Sequence, residues 1–116
     1  MKNIHDNPAD FGMIKVDEFD LSDGCWQFDY VMVWQSITDK RVFYVGTDSG
    51  CSCPSPYEDV QSIEDLERLN PDNPRPQIET LFRLGEQNYT YSAAELQRGV
   101  SDMVARVKKA QEGPRK

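Results

Sequence analysis

Residues 26–35 read Trp-Gln-Phe-Asp-Tyr-Val-Met-Val-Trp-Gln. Large apolar side chains recur at every second position, Trp26, Phe28, Tyr30, Met32 and Trp34, which is the period of a β-strand with one buried face. Thr38 and Asp39 follow as turn residues and Arg41–Thr47 returns as a second strand, so the pair reads as an antiparallel hairpin. A turn centred on Thr38-Asp39 sets Trp34 opposite Phe43, Met32 opposite Val45 and Tyr30 opposite Thr47. The same register sets Asp29 against Asp48, where like charges repel. An arginine, a bound cation, a shared proton or a one-residue slip would each relieve that conflict.

The elements on either side extend the pattern. Met13–Leu21 alternates loosely and predicts a strand with a bulge or kink near Asp17-Glu18. Downstream, Ser62–Leu69 reads as a short helix with Ser62 as its N-cap. The proline-rich run from Asn70 to Pro76 reads as a stiff connector. Residues 77–84 fit a helical face through Ile78, Leu81 and Phe82, with Gly85 as a stop. Ser92-Ala93-Ala94-Glu95 is a capping box, after which Leu96, Val100, Met103, Val104 and Val107 keep helical spacing to about Gln111. Gly99 inside that helix marks a close approach to the sheet. The expectation is an α+β domain: an antiparallel three-stranded meander packed against a C-terminal amphipathic helix, with one or two short helices besides. The helix is expected to cover the face carrying Trp26, Phe28, Tyr30, Met32 and Trp34. The domain spans 13–112, between an extended segment (1–12) and a basic tail (113–116).

Composition narrows the function classes. The chain has 116 residues and a net charge of −7. From Leu96 onward six cations oppose two acids, a net +4, which leaves −11 on residues 1–95. An acidic body argues against nucleic acid, whose binding requires a cationic face, and cations at a helix C-terminus complement its dipole. The apolar run Tyr30–Trp34 is too short for a membrane span, and the N-terminal residues lack the apolar core of a signal peptide. Three cysteines in such a chain point to a reducing compartment. Homo-oligomer formation is left open.

The candidate site is the loop D-S-G-C-S-C-P-S-P-Y-E-D at residues 48–59. Asp48, Ser49 and Gly50 are turn chemistry that ends the strand. Cys51 and Cys53 are small thiols suited to burial, and Pro54 and Pro56 stiffen the backbone. Tyr57 plugs the loop onto the sheet, and Glu58 and Asp59 join Asp29 and Asp48 in an acidic rim. The expected binding surface is therefore Asp29, Asp48, Tyr57, Glu58 and Asp59, together with an uncovered face of the sheet. A weaker metal reading takes Cys25, Cys51, Cys53 and His5 as ligands. The C-x-C spacing is one residue tighter than structural zinc sites use, so no cofactor is expected. No G-x-S-x-G, P-loop or H-E-x-x-H pattern occurs. A non-enzymatic module is the favoured reading, with a metal-binding or hydrolytic protein using the cysteines or Asp29 and Asp48 as the alternative.

The string W-x-F-D-Y-V-x-V-W (Trp26–Trp34), the return strand with Tyr44, and the loop Asp48–Asp59 together resemble a group of small proteins encoded by actinobacterial phages, mycobacteriophages among them. The resemblance covers roughly residues 26–66. It carries no activity, but it implies a phage accessory protein acting in the cytoplasm of the bacterial host, with a host or phage protein as partner.

Overall fold

Two strands form the centre of the sheet, joined by a loop whose tip, residues 37–41, lies between the bonded Ser36 and Val42. In the computed structural model, which describes residues 4–22, 27–51, 57, 60, 62–86, 88 and 90–112, β2 is Gln27–Ser36 and β3 is Phe43–Cys51. The Ser36 hydroxyl accepts from the amides of Thr38 and Asp39, and the Asp39 carboxylate accepts from the Arg41 amide. Ser36 N–H then closes the loop on the Val42 carbonyl. The loop so capped holds an odd number of residues, and the register moves by one from that expected: Trp34 pairs with Tyr44, Val33 with Val45 and Met32 with Gly46. A one-residue slip exchanges the faces of the whole return strand.

β1 (Met13–Asp20) pairs antiparallel with β2, and its register shifts between Lys15 and Asp17 around Val16. This is the bulge the sequence suggested, one residue earlier. The Asp17 carboxylate fixes it by accepting the next amide, that of Glu18, at 2.9 Å and the Arg106 guanidinium at 2.7 Å. On the far side of β3 lies a fourth strand, β4 (Glu67–Leu69), so the sheet runs β1-β2-β3-β4, fully antiparallel. The expected three strands become four. The expected helix over 62–69 is only a 3-10 turn at Ile63–Asp65, with the Ser62/Asp65 capping box formed, followed by β4. The cause is geometric. Leu66 and Leu69, three apart, would share a helix face, but in a strand they lie on opposite faces, and here each face has its own core to receive one.

The proline run ends sooner than expected. Helix α1 is Arg75–Leu81, with Pro76 in its first turn, where a missing amide costs nothing. Helix α2 is Ala93–Glu112. Its capping box is made: Glu95 N–H donates to the Ser92 hydroxyl and Ser92 N–H to the Glu95 carboxylate. The buried face of α2 holds Leu96, Gly99, Val100, Met103, Val104 and Val107.

The sheet is buried on both faces, which corrects the expected placement of the aromatic stripe. Helix α2 covers Val31, Val33, Phe43 and Val45, together with Leu69, Ile78 and Phe82. Met32 and Trp34 point the other way, into a second core with Ile4, Met13 and Tyr57, flanked by Phe11, Tyr30, Tyr44, Val60, Ile63 and Leu66. Trp26 lies outside the described residues. The N-terminal segment is thus not simply extended: Ile4 is fully buried, and Pro8–Phe11 forms a 3-10 turn closed by Gly12 in the left-handed conformation. Among the described residues both faces of the sheet carry a core, in place of the uncovered face expected for a partner. The single buried polar side chain among the described residues, Gln35, donates to the carbonyls of Lys40 and Ala110 and so ties the hairpin loop to the end of α2.

Gly99 gives a test of the helix–sheet contact. A Cβ there would sit 2.8 Å from Phe19 Cε2 and 2.9 Å from Phe82 Cε2, against two rings that also contact each other, tilted by 51° with centroids 5.0 Å apart. Gly99→Ala should therefore destabilise by ~1–2 kcal/mol through overpacking, although alanine favours helix by up to ~1 kcal/mol. Chemical denaturation of the two proteins measures the difference, and stabilisation by alanine would remove the close contact.

Candidate functional site

Tyr57 organises what is described of the loop. It takes a left-handed backbone, φ 60°, which is rare for a non-glycine residue, and its side chain is 2% exposed. The loop is gripped at three points. Tyr57 N–H donates to the Asp48 carboxylate at 2.7 Å, and its hydroxyl donates to the carbonyls of Gly46 at 3.0 Å and Tyr30 at 3.3 Å. The ring meets Trp34 edge-on, with centroids 5.2 Å apart. Gly46 lies beneath it: a Cβ there would make an ordinary contact of 3.5 Å with the Tyr57 ring, but would crowd Leu66 Cδ2 at 3.0 Å. Burial first, and the nearby Asp48 carboxylate second, push the Tyr57 hydroxyl far above the ordinary tyrosine range. Tyr57 is therefore part of the clasp and presents no surface of its own to a partner.

The two aspartates that the expected register opposed are separated and given different work. Asp48 faces Tyr30 and caps the Tyr57 amide; Asp29 faces Ser49. The Asp29 carboxylate forms an ion pair with Arg83, just beyond α1. Both the slip and the arginine of the sequence reading are present. The two acids do not converge on one point, so they form neither an acid–base pair nor a cation site. Beneath them Asp20 gathers the strand ends, accepting from the amides of Asp29 and Ser22 and from the Ser22 hydroxyl.

Around the Asp29–Arg83 pair lies a cleft of about 570 Å³ whose walls include Phe28, Ser49, Gly50, Asn88 and Thr90. Arg83 also stands in the left-handed region, φ 54°. It occupies the turn that ends α1, where its amide meets the Thr80 carbonyl, a position that glycine normally fills. Sequence reasoning missed Arg83, Asp20 and Asn88. No spacing marks them, because each reaches the cleft from a different segment of the chain.

Of the other expected site residues, Glu58, Asp59, Cys25, Cys53, Pro54 and Pro56 lie outside the described residues, as does the side chain of Cys51, whose backbone ends β3 opposite Gln27. His5 lies flat on Tyr30, with centroids 5.1 Å apart, and its Nδ1 shares a 3.0 Å hydrogen bond with Asp6. Among the described residues no three His, Cys, Asp or Glu side chains are placed to hold a metal ion. No helix of the described chain is long and apolar enough to cross a membrane.

A family model described as a domain of unknown function, DUF7574, matches residues 2–110. The chain belongs to that family. The matched span takes in both cores, the Tyr57 clasp and the Arg83 cleft. No curated protein and no solved structure matches the chain.

The clasp predicts an alkaline response. Tyr57→Phe removes a donor from two buried carbonyls and should cost ~1 kcal/mol at neutral pH. Because the folded-state pKa is raised, this stabilisation is complete below the ordinary tyrosine value of about 10 and is lost as pH climbs past it, where only the unfolded chain ionises. Tyr30 acts in the same direction, since burial and then Glu18 and Asp20 raise it. Urea midpoints taken across the alkaline range should converge for the wild type and Tyr57→Phe. Parallel curves would show that Tyr57 titrates normally in the folded protein.

Proposed function

We propose that the protein is a non-enzymatic interaction module, a phage accessory protein that binds a host or phage protein in the bacterial cytoplasm. Its binding surface is the end of the β2–β3 hairpin, where the Asp29–Arg83 cleft adjoins the 48–59 loop. The observation that carries this reading is Arg83. A non-glycine residue in the left-handed region costs ~1 kcal/mol, and the half-exposed ion pair it makes returns no more than ~1 kcal/mol. Stability alone gives no reason to keep arginine at that turn. Strained backbone at a cleft is a common mark of recognition. The clasp supports the same reading, because the bond from Tyr57 N–H to Asp48 fixes Tyr57 against the sheet beside the strand end, and groups already fixed lose little entropy on binding.

Phage origin and cytoplasmic action rest on the resemblance of residues 26–66 to actinobacteriophage proteins. The metal or hydrolytic alternative has less support, since Asp29 and Asp48 are committed to Arg83 and to the Tyr57 amide.

Arg83→Gly separates binding from folding. Glycine relieves the backbone but adds unfolded-state entropy of about 0.5–1 kcal/mol, so stability should change by less than ~1 kcal/mol. Binding should fall sharply. Immobilised wild-type protein should retain one bacterial or phage protein in stoichiometric amount from an infected-cell lysate, and Arg83→Gly should not. Equal retention by a well-folded variant would move the surface elsewhere.

A further inference from the structure

The sheet has two edges, and the fold treats them differently. The outer edge of β4 is sealed by one side chain. The Gln77 amide nitrogen donates to the Arg68 carbonyl at 3.0 Å, and its oxygen accepts from the Asn70 amide at 2.8 Å. A primary amide thus stands in for the peptide group of a neighbouring strand. The outer edge of β1 has no such cover, and no other described segment makes a backbone hydrogen bond to it. The bulge at Val16, clamped by Asp17 and Arg106, spoils the second half of that edge for pairing, as bulges and charges do on protected edges. The first half, from Met13 to Lys15, remains regular.

Beside this free half, a groove of about 260 Å³ separates β1 from the end of α2. Its apolar floor is Ile14, Val16 and Ala110, and its cations are Lys15, Arg106 and Lys109. Ile14 is 39% exposed. The other large exposed hydrophobic residue, Ile37, donates its amide to the Gly12 carbonyl and so sits at the same end of β1. Lys15 and Arg106 already hold Glu18 and Asp17, whereas Lys109 has no ion-pair partner among the described residues. On a chain of net charge −7, cations gathered along one apolar groove select against a basic ligand.

The geometry points to strand addition: the Met13–Lys15 edge of β1 takes up an extended, acidic segment of a partner protein. The segment's backbone pairs with β1, an apolar side chain covers Ile14 and Ala110, and a neighbouring carboxylate meets Lys109. Edge addition draws affinity from backbone bonds and specificity from alternate side chains. The surface lies apart from the Asp29–Arg83 cleft and does not depend on it.

The test uses a fluorescein-labelled peptide of alternating glutamate and valine, and its lysine–valine counterpart. The glutamate peptide should bind in anisotropy titrations, protect amides within Met13–Lys15 from hydrogen exchange, and weaken with salt. Lys109→Glu should lower its affinity by about tenfold through loss of the charge pair, while Arg83→Gly should leave it unchanged. Absence of binding, equal binding of the lysine peptide, or protection elsewhere on the molecule would overturn the proposal. So would concentration-dependent protection of β1 without peptide, which would assign the edge to a second copy of the chain.

Discussion

The hydroxyl of Ser36 and the carboxylate of Asp39 are small features on which the arrangement of the molecule turns. By capping successive amides they hold a loop with an odd number of residues between β2 and β3. That parity sends Phe43 and Val45 towards α2 and Tyr44 and Gly46 to the opposite face. Gly46 then lies beneath Leu66 and the Tyr57 ring. Asp48 is brought within reach of the Tyr57 amide, and Asp29 is left free for Arg83. An even loop would have reversed these placements, because strand registers are quantised in steps that exchange faces.

How much was legible in the residues follows from the same parity. The α+β class, β1 with its bulge, the two hairpin strands and α2 with its capping box all follow from local periodicity. Which way β2 faces does not. The continuous apolar run Tyr30–Trp34 signals a strand buried on both faces, yet alternation of its largest side chains suggests one buried face. Once both faces are covered, the helix side takes the smaller β-branched residues Val31 and Val33, and the larger Met32 and Trp34 fill the layer opposite. β4 was hidden for a related reason: three residues carry too little pattern to be distinguished from a helical turn. At the candidate site, the expected like-charge conflict between Asp29 and Asp48 was informative although its register was not, since it anticipated an arginine that no spacing located.

The loop and the cleft are joined through backbone rather than through a shared catalytic group. Tyr57 reaches the carbonyls of β2 and β3, Asp48 reaches the Tyr57 amide, and Asp20 gathers the amides at the strand ends. Each aspartate is spent on holding chain in place.

The presence of two cores on one sheet has a consequence for motion. The α2 layer is aliphatic and phenylalanine-rich, packed under a helix of 20 residues. The opposite layer is built of aromatic rings with polar edges, and irregular chain, not helix, holds it down. Layers that differ in this way open independently, the less cohesive one at a smaller free energy than global unfolding. The Tyr57 layer can therefore detach and reseat while the hydrogen-bonded sheet and α2 persist. How often Tyr57 leaves its seat is then set by this local equilibrium, which substitutions in the aromatic layer would shift without unfolding the domain.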